Sequence, residues 1–171
     1  MPDSDHAAQF RDYAAHHQER LRRFAYLLCG DWQRAEDAVQ AALTKLYLAW
    51  PRISRHPVDA YARRVVVTSV ADVTRRAWFR RERSAERLPD RPAPTPDADD
   101  RLLVMDALAR LPRRQRAVVV LRFWEDRSVQ DTARILKCSM GTVKSHTARG
   151  LATLRELLGE TVSVRHEEVT R

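Results

Sequence analysis

Residues 128–154, "SVQDTARILKCSMGTVKSHTARGLATL", carry the pattern on which the fold turns. Ser128 stands where it can cap a short helix, "VQDTARIL", and Ser139 where it can cap the next one. A short hydroxyl side chain accepts a hydrogen bond from a free first-turn N–H. Ala133 is small enough to let a second helix cross closely. Val129 and Leu136 fall on the same inward side, and Val143 anchors the second helix, with Leu151 and Leu154 extending its stripe. Lys137, Cys138 and Ser139 form the turn between them. These are the steric requirements of a helix-turn-helix.

The inward anchors leave Met140, Thr142, Ser145, His146 and Arg149 facing outward. Such side chains hydrogen-bond base edges or phosphates, and the Met and Thr methyls pack on thymine. Lys144, near the helix start, suits a phosphate. Lys137 occupies the turn position most often held by glycine. A non-glycine with positive φ there costs about 1 kcal/mol.

Composition agrees with an anionic partner. The 171 residues carry a formal net charge of +8, and the sequence pI is 10.3. Nucleic acid is the first candidate for such a surface. Lysine occurs only at Lys45, Lys137 and Lys144, and every other basic residue except histidine is arginine. The two cysteines, Cys29 and Cys138, make no CxxC and no zinc spacing, which implies free thiols in a reducing cytoplasm. The histidines form no HExxH, and there is no P-loop glycine pattern. The sequence therefore predicts no metal, no cofactor and no enzyme. No apolar run is long enough for a bilayer, and "MPDSDHAAQFRDY" lacks the parts of a signal peptide. A soluble cytoplasmic protein without a membrane partner is expected.

Apolar spacing of three and four nearly throughout, with few glycines and no hairpin dipeptides, predicts an all-α chain. One composition break interrupts it: "RLPDRPAPTPDADD", residues 87–100, where four prolines favour an extended, polar chain. The expected organisation is two small helical domains, 8–83 and 101–158, joined by a flexible linker over 84–100. Residues 159–171 read as a frayed tail. In the first domain Gly30 reads as a helix stop, Asp31 as the next N-cap and Pro51 as the end of that second helix. The third helix begins near Asp59, runs apolar through Val73 and then turns basic as "TRRAWFRRER". Arginines there suit phosphates. Trp78 and Phe79 either close the core or offer faces for unpaired bases to stack on.

With both halves in view, the chain resembles the extracytoplasmic-function (ECF) sigma factors of the sigma-70 family, in particular a SigE-like actinobacterial branch. The resemblance covers roughly residues 8–158. "RAEDAVQAALTKLYLAW" resembles region 2.2, with the Asp-x-x-Gln signature on Asp37 and Gln40 and Ala41 where glutamate is usual. It implies docking on the β′ clamp helices of core RNA polymerase through Asp37, Gln40, Leu43 and Tyr47. "YARRVVVTSVADVTRRAWFRRER" resembles regions 2.3 and 2.4. It implies contact with the −10 element by Arg63, Arg64, Thr68, Asp72, Arg75, Arg76, Trp78, Phe79 and Arg80, with Thr68 where asparagine is frequent.

Residues 106–157 resemble region 4. There the resemblance implies −35 recognition by Ser139, Met140, Thr142, Lys144, Ser145, His146 and Arg149, and Arg113, Arg114 and Arg116 meet phosphate or the polymerase β flap. The implied partners are core RNA polymerase, promoter DNA both duplex and single-stranded, and an anti-sigma factor. A helix-turn-helix regulator that never enters the polymerase shares residues 128–154, but has no need of Asp37, Gln40 or the basic-aromatic helix.

Overall fold

The computed structural model describes residues 2–54, 57–83 and 96–169, and of residues 2–4, 81–83, 96–100 and 160–169 it describes the backbone. The described residues form α-helices and one π turn. Helices α1 (Pro2–Cys29), α2 (Trp32–Ile53) and α3 (Val58–Arg83) make the first half. Helices α4 (Pro96–Arg110), α5 (Arg113–Val119), α6 (Val129–Leu136) and α7 (Met140–Val169) make the second, with a π turn over Val120–Trp124 directly after α5.

In the first half, α2 packs against both α1 and α3. Gly30 at φ +73° ends α1, and its N–H donates to the Tyr26 carbonyl at 2.7 Å. Asp31 then caps α2 by accepting from the Arg34 N–H at 2.8 Å. The apolar stripe of α2 is buried at Ala35, Ala38, Val39, Ala42, Leu46 and Trp50. Pro51 does not end this helix, which continues to Ile53. In the last turn a proline forgoes one hydrogen bond, and the Ser54 N–H still closes the helix on the Trp50 carbonyl at 3.0 Å.

Two expected boundaries move. Helix α4 starts at Pro96, inside the stretch read as linker, because proline is tolerated in the first helical turn, where its missing N–H would be unpaired anyway. Residues 84–95 lie outside the described residues. The tail read as frayed continues α7 to Val169. Gly159 keeps a right-handed φ, so it weakens that helix without stopping it.

The helix-turn-helix forms as its residues require. Ser128 Oγ accepts from the Asp131 N–H at 2.9 Å, and Ser139 Oγ accepts from the Thr142 N–H at 3.0 Å. Ala133, Val118 and Val143 are buried together, with Val129, Leu136 and Cys138 packed against them. Lys137 takes φ 51°, ψ 51°, and the Cys138 N–H reaches back to the Ala133 carbonyl at 3.1 Å. The turn thus holds a lysine in the left-handed region that glycine enters without strain. Lys137→Gly is expected to raise stability by about 0.5–1 kcal/mol, the strain relief outweighing the entropy glycine loses on folding. Urea unfolding of the pair checks this.

Gly150 is a contact the stripe does not announce. A Cβ there would lie 2.8 Å from Val119 Cγ2, so α5 and α7 cross on a glycine. The signal available in the sequence is a lone glycine inside an otherwise regular apolar pattern.

The two halves pack against each other. One buried cluster runs from Leu21, Phe24 and Val66 in the first half to Leu108, Leu121 and Ile135 in the second. Arg116 of α5 donates from Nε to the Leu27 carbonyl of α1 at 2.6 Å. Burial lowers the pKa of that guanidinium.

Candidate nucleic-acid interface

Three surfaces hold most of the predicted residues. The first is the outer side of α2. Asp37, Gln40 and Tyr47 are exposed at helical spacing, while Leu43 is partly buried against the core. The polar groups are held by one-turn neighbours: Gln33 donates to Asp37 at 3.2 Å and Gln40 donates to Glu36 at 2.9 Å. The Tyr47 ring rests edge-on against Phe10 at 5.2 Å between centroids, leaving about half of the residue in solvent. Leu48, beside it and 72% exposed, extends this face; the predicted set omits it. Its signal was a leucine just off the buried stripe.

The second surface is the basic end of α3. Trp78 and Phe79 are both more than half exposed and meet edge-to-face at 5.1 Å. They do not close the core. Arg75, Arg76 and Arg80 are exposed beside them. Asp72 is occupied by two cations: Arg75 Nη2 at 2.9 Å and Lys45 Nζ at 3.6 Å. These pairs tie the carboxylate to basic side chains of α2 and α3.

Arg63 and Thr68 lie elsewhere. Arg63, expected among the DNA contacts, is 1% exposed. Its Nε donates to Glu125 Oε2 at 2.6 Å, its Nη2 bonds the same oxygen, and its Nη1 donates to the Asp59 carbonyl at 3.1 Å. With its guanidinium so engaged, Arg63 has no face to offer DNA in this arrangement. A buried carboxylate outcompetes solvent for an arginine because the charge-assisted pair satisfies both groups away from water. Thr68 donates its hydroxyl to the Val65 carbonyl at 2.9 Å and lines a cavity of about 500 Å³ between the halves. Arg64 is partly buried.

The third surface is the start of α7. Met140, Lys144, Ser145 and Arg149 are exposed, while Thr142 and His146 are partly buried and line the same cavity as Thr68. Ser139 serves as the cap and also shares a 2.9 Å hydroxyl contact with Thr142. The helix start adds its own positive end to this face. Cys29 and Cys138 are free thiols, and burial pushes Cys29 above the ordinary thiol range, away from nucleophilic use. Among the described residues no cluster of metal-ligating side chains occurs, and no helix is long and apolar enough to cross a membrane.

A capped helix-turn-helix and an exposed basic-aromatic helix end on one chain are features of a DNA-binding protein. Residues 13–84 match the family profile described as "Sigma-70 region 2", and residues 101–154 match "Sigma-70, region 4". The chain is 41% identical over 157 residues to the RNA polymerase sigma-E factor of Streptomyces coelicolor, covering 88% of this chain and 86% of that one. It is 34% identical over 144 residues to the ECF RNA polymerase sigma factor SigM of Mycobacterium tuberculosis, covering 84% and 74%. The sigma factor RpoE from Bartonella quintana, solved in complex with the anti-sigma factor NepR, matches with a TM-score of 0.73 at 26% identity, over 88% of this chain and 97% of that one. The chain belongs to the sigma-70 family and is an RNA polymerase sigma factor of the ECF type. The region 2 match is what separates it from a regulator that merely carries a helix-turn-helix.

Proposed function

We propose that the three surfaces divide the work of promoter recognition. The outer side of α2, with Asp37, Gln40, Leu43 and Tyr47, docks on the β′ clamp helices of core polymerase. The basic end of α3 captures the melted −10 strand, with Trp78 and Phe79 stacking on bases and Arg75, Arg76 and Arg80 tracking phosphates. The start of α7 reads the −35 duplex through Arg149, His146, Ser145, Thr142 and Met140, with Lys144 on a phosphate and Ser139 capping the helix. Arg64, Thr68 and Asp72 complete the −10 set, and Arg63 joins it once released from Glu125. Arg113 and Arg114 are exposed at the start of α5 and suit the β flap. Strand capture supplies the energy of melting, so the chain acts in the cytoplasm without covalent chemistry.

The observation that carries this reading is the exposure of Trp78 and Phe79 among arginines, on a different element from the helix-turn-helix. Rings left in water at a basic helix end suit unpaired bases. The match to a sigma factor held by an anti-sigma factor supports a similar protein partner for this chain.

Docking is tested directly by Asp37→Ala with Gln40→Ala. Both side chains are exposed, so folding should be unaffected. Co-elution with core polymerase should weaken by about tenfold or more, while the chain's affinity for −35 duplex stays unchanged. Undiminished co-elution would remove this face from the docking site. For the third surface, Arg149→Ala is expected to cost about 1–3 kcal/mol of −35 binding and to relax sequence preference at one position. Equal loss on every sequence would make Arg149 a phosphate contact. Binding assays against a panel of single-base variants distinguish the two.

A further inference from the structure

The cavity of about 500 Å³ that Thr68 lines also holds a guanidinium that no carboxylate answers. Arg116 of α5 lines it and is 7% exposed. Its Nε is spent on the Leu27 carbonyl, and its Nη2 is buried with no hydrogen-bond partner among the described residues. A buried cation is ordinarily paired, because burial strips its water without replacing it. The acidic groups that line this cavity are the thiols of Cys29 and Cys138, and burial raises the pKa of Cys29. Neither supplies the missing anion at neutral pH. No aspartate or glutamate is among the described residues of the lining.

The rest of the lining has two characters. One is more positive charge and a second unanswered nitrogen. Arg113 and Arg114 stand exposed on the lining, and His146 presents an Nδ1 that is buried without a partner. The other is apolar. Val67 and Val70 of α3, Val118 of α5 and Leu136 of α6 form walls. Sites for small ligands have this make-up: apolar walls, a few polar groups that fix orientation, and a volume of about 300–1,000 Å³. The two characters together select the ligand. Inorganic phosphate would answer the arginine but leave the valines and leucine facing water. A neutral hydrocarbon would cover the walls and leave Nη2 unpaired. A carboxylate on an apolar body satisfies both.

We propose that this cavity is a binding site for a small apolar monocarboxylate, with Arg116 Nη2 donating to the carboxylate and the walls of α3, α5 and α6 covering the body. The guanidinium is held ready by its Nε bond to the Leu27 carbonyl, so little ordering is left for the ligand to impose. A charge-assisted hydrogen bond made away from water is stronger than a neutral one, so the acid outbinds its uncharged counterpart. A ligand that binds only the folded chain also stabilises it in proportion to the logarithm of its concentration.

The test titrates the full chain with octanoate, with octanol as the uncharged counterpart and inorganic phosphate as the headgroup alone. Methyl NMR locates the ligand, and the melting temperature reports its effect. Octanoate should shift the methyl resonances of Val67, Val70 and Val118, raise the melting temperature, and bind at least about tenfold more tightly than octanol. Phosphate should leave those methyls unshifted. Arg116→Gln should bind octanoate at least about tenfold more weakly and lose the preference for the acid over the alcohol. Ala71→Phe, also on the lining, fills the space with Arg116 in place and should abolish binding. If Arg116→Gln loses its helical circular dichroism, the comparison of octanoate with octanol on the wild type decides the matter. Equal affinity for acid and alcohol would overturn the site. So would a folded Arg116→Gln chain that binds octanoate as the wild type does, shifts confined to residues outside the cavity, or no binding across the millimolar range. None of these readouts involves polymerase or DNA, so a failure of the sigma reading leaves them to judge the site.

Discussion

Replacing both Trp78 and Phe79 with alanine should cost at least about 30-fold in affinity for the melted −10 strand and leave folding intact. Each ring is more than half exposed, and each touches the other rather than the core. Stacking of a base on an aromatic face is worth about 1–3 kcal/mol, so two lost platforms remove about 2 kcal/mol or more. Truncating exposed side chains away from packed contacts changes stability by no more than about 0.5 kcal/mol. Permanganate footprinting of the promoter should show the opening defect, while binding of −35 duplex stays at the wild-type level. A lowered melting temperature with undiminished strand capture would return both rings to a packing role.

Phe24→Ala should do the opposite. Phe24 is 1% exposed within the cluster that joins the two halves. Removing a buried phenylalanine loses its transfer free energy and leaves a cavity that the neighbours fill only in part, which costs about 3–5 kcal/mol. At about 2–4 °C per kcal/mol for a chain of this size, the melting temperature should fall by roughly 10 °C. The second half contributes Leu108, Leu121 and Ile135 to the same cluster, so helices of both halves should lose hydrogen-exchange protection together. Loss confined to α1–α3 would mean that the halves fold independently.

These three aromatic residues show what the sequence could and could not reveal. Phe24 and Leu46 lie inside because burial on one face of α1 and of α2 repeats at helical spacing. The helix-turn-helix was legible for the same local reason: its caps, small crossing residue and left-handed turn lie within a dozen residues. Trp78 and Phe79 were ambiguous, since a ring beside arginines reads equally as a core lid or as a stacking face, and only their exposure in the folded chain separates the two.

The burial of Arg63 was not legible in the sequence. It stands in a basic run, and an arginine pattern carries no mark of its partner. Its carboxylate comes from 62 residues away, across a stretch that looks like a plain linker. The inward turn of Glu125 depends on a π turn within "VLRFWE", whose composition is that of an ordinary helix. Gly150 was visible only as an irregularity, because what makes it necessary is Val119 on another helix. In each case the missing information is the identity of a distant partner, which periodicity and capping do not encode.

The most direct test of the central claim is in vitro transcription with core polymerase on a pool of genomic promoters, with the chain present or omitted. Transcripts that depend on the chain should share two upstream elements at a fixed spacing. His146→Ala should alter the preference at the −35 element while leaving the −10 element unchanged. A pool in which no transcript depends on the chain, with active core polymerase confirmed by another sigma factor, would contradict the account.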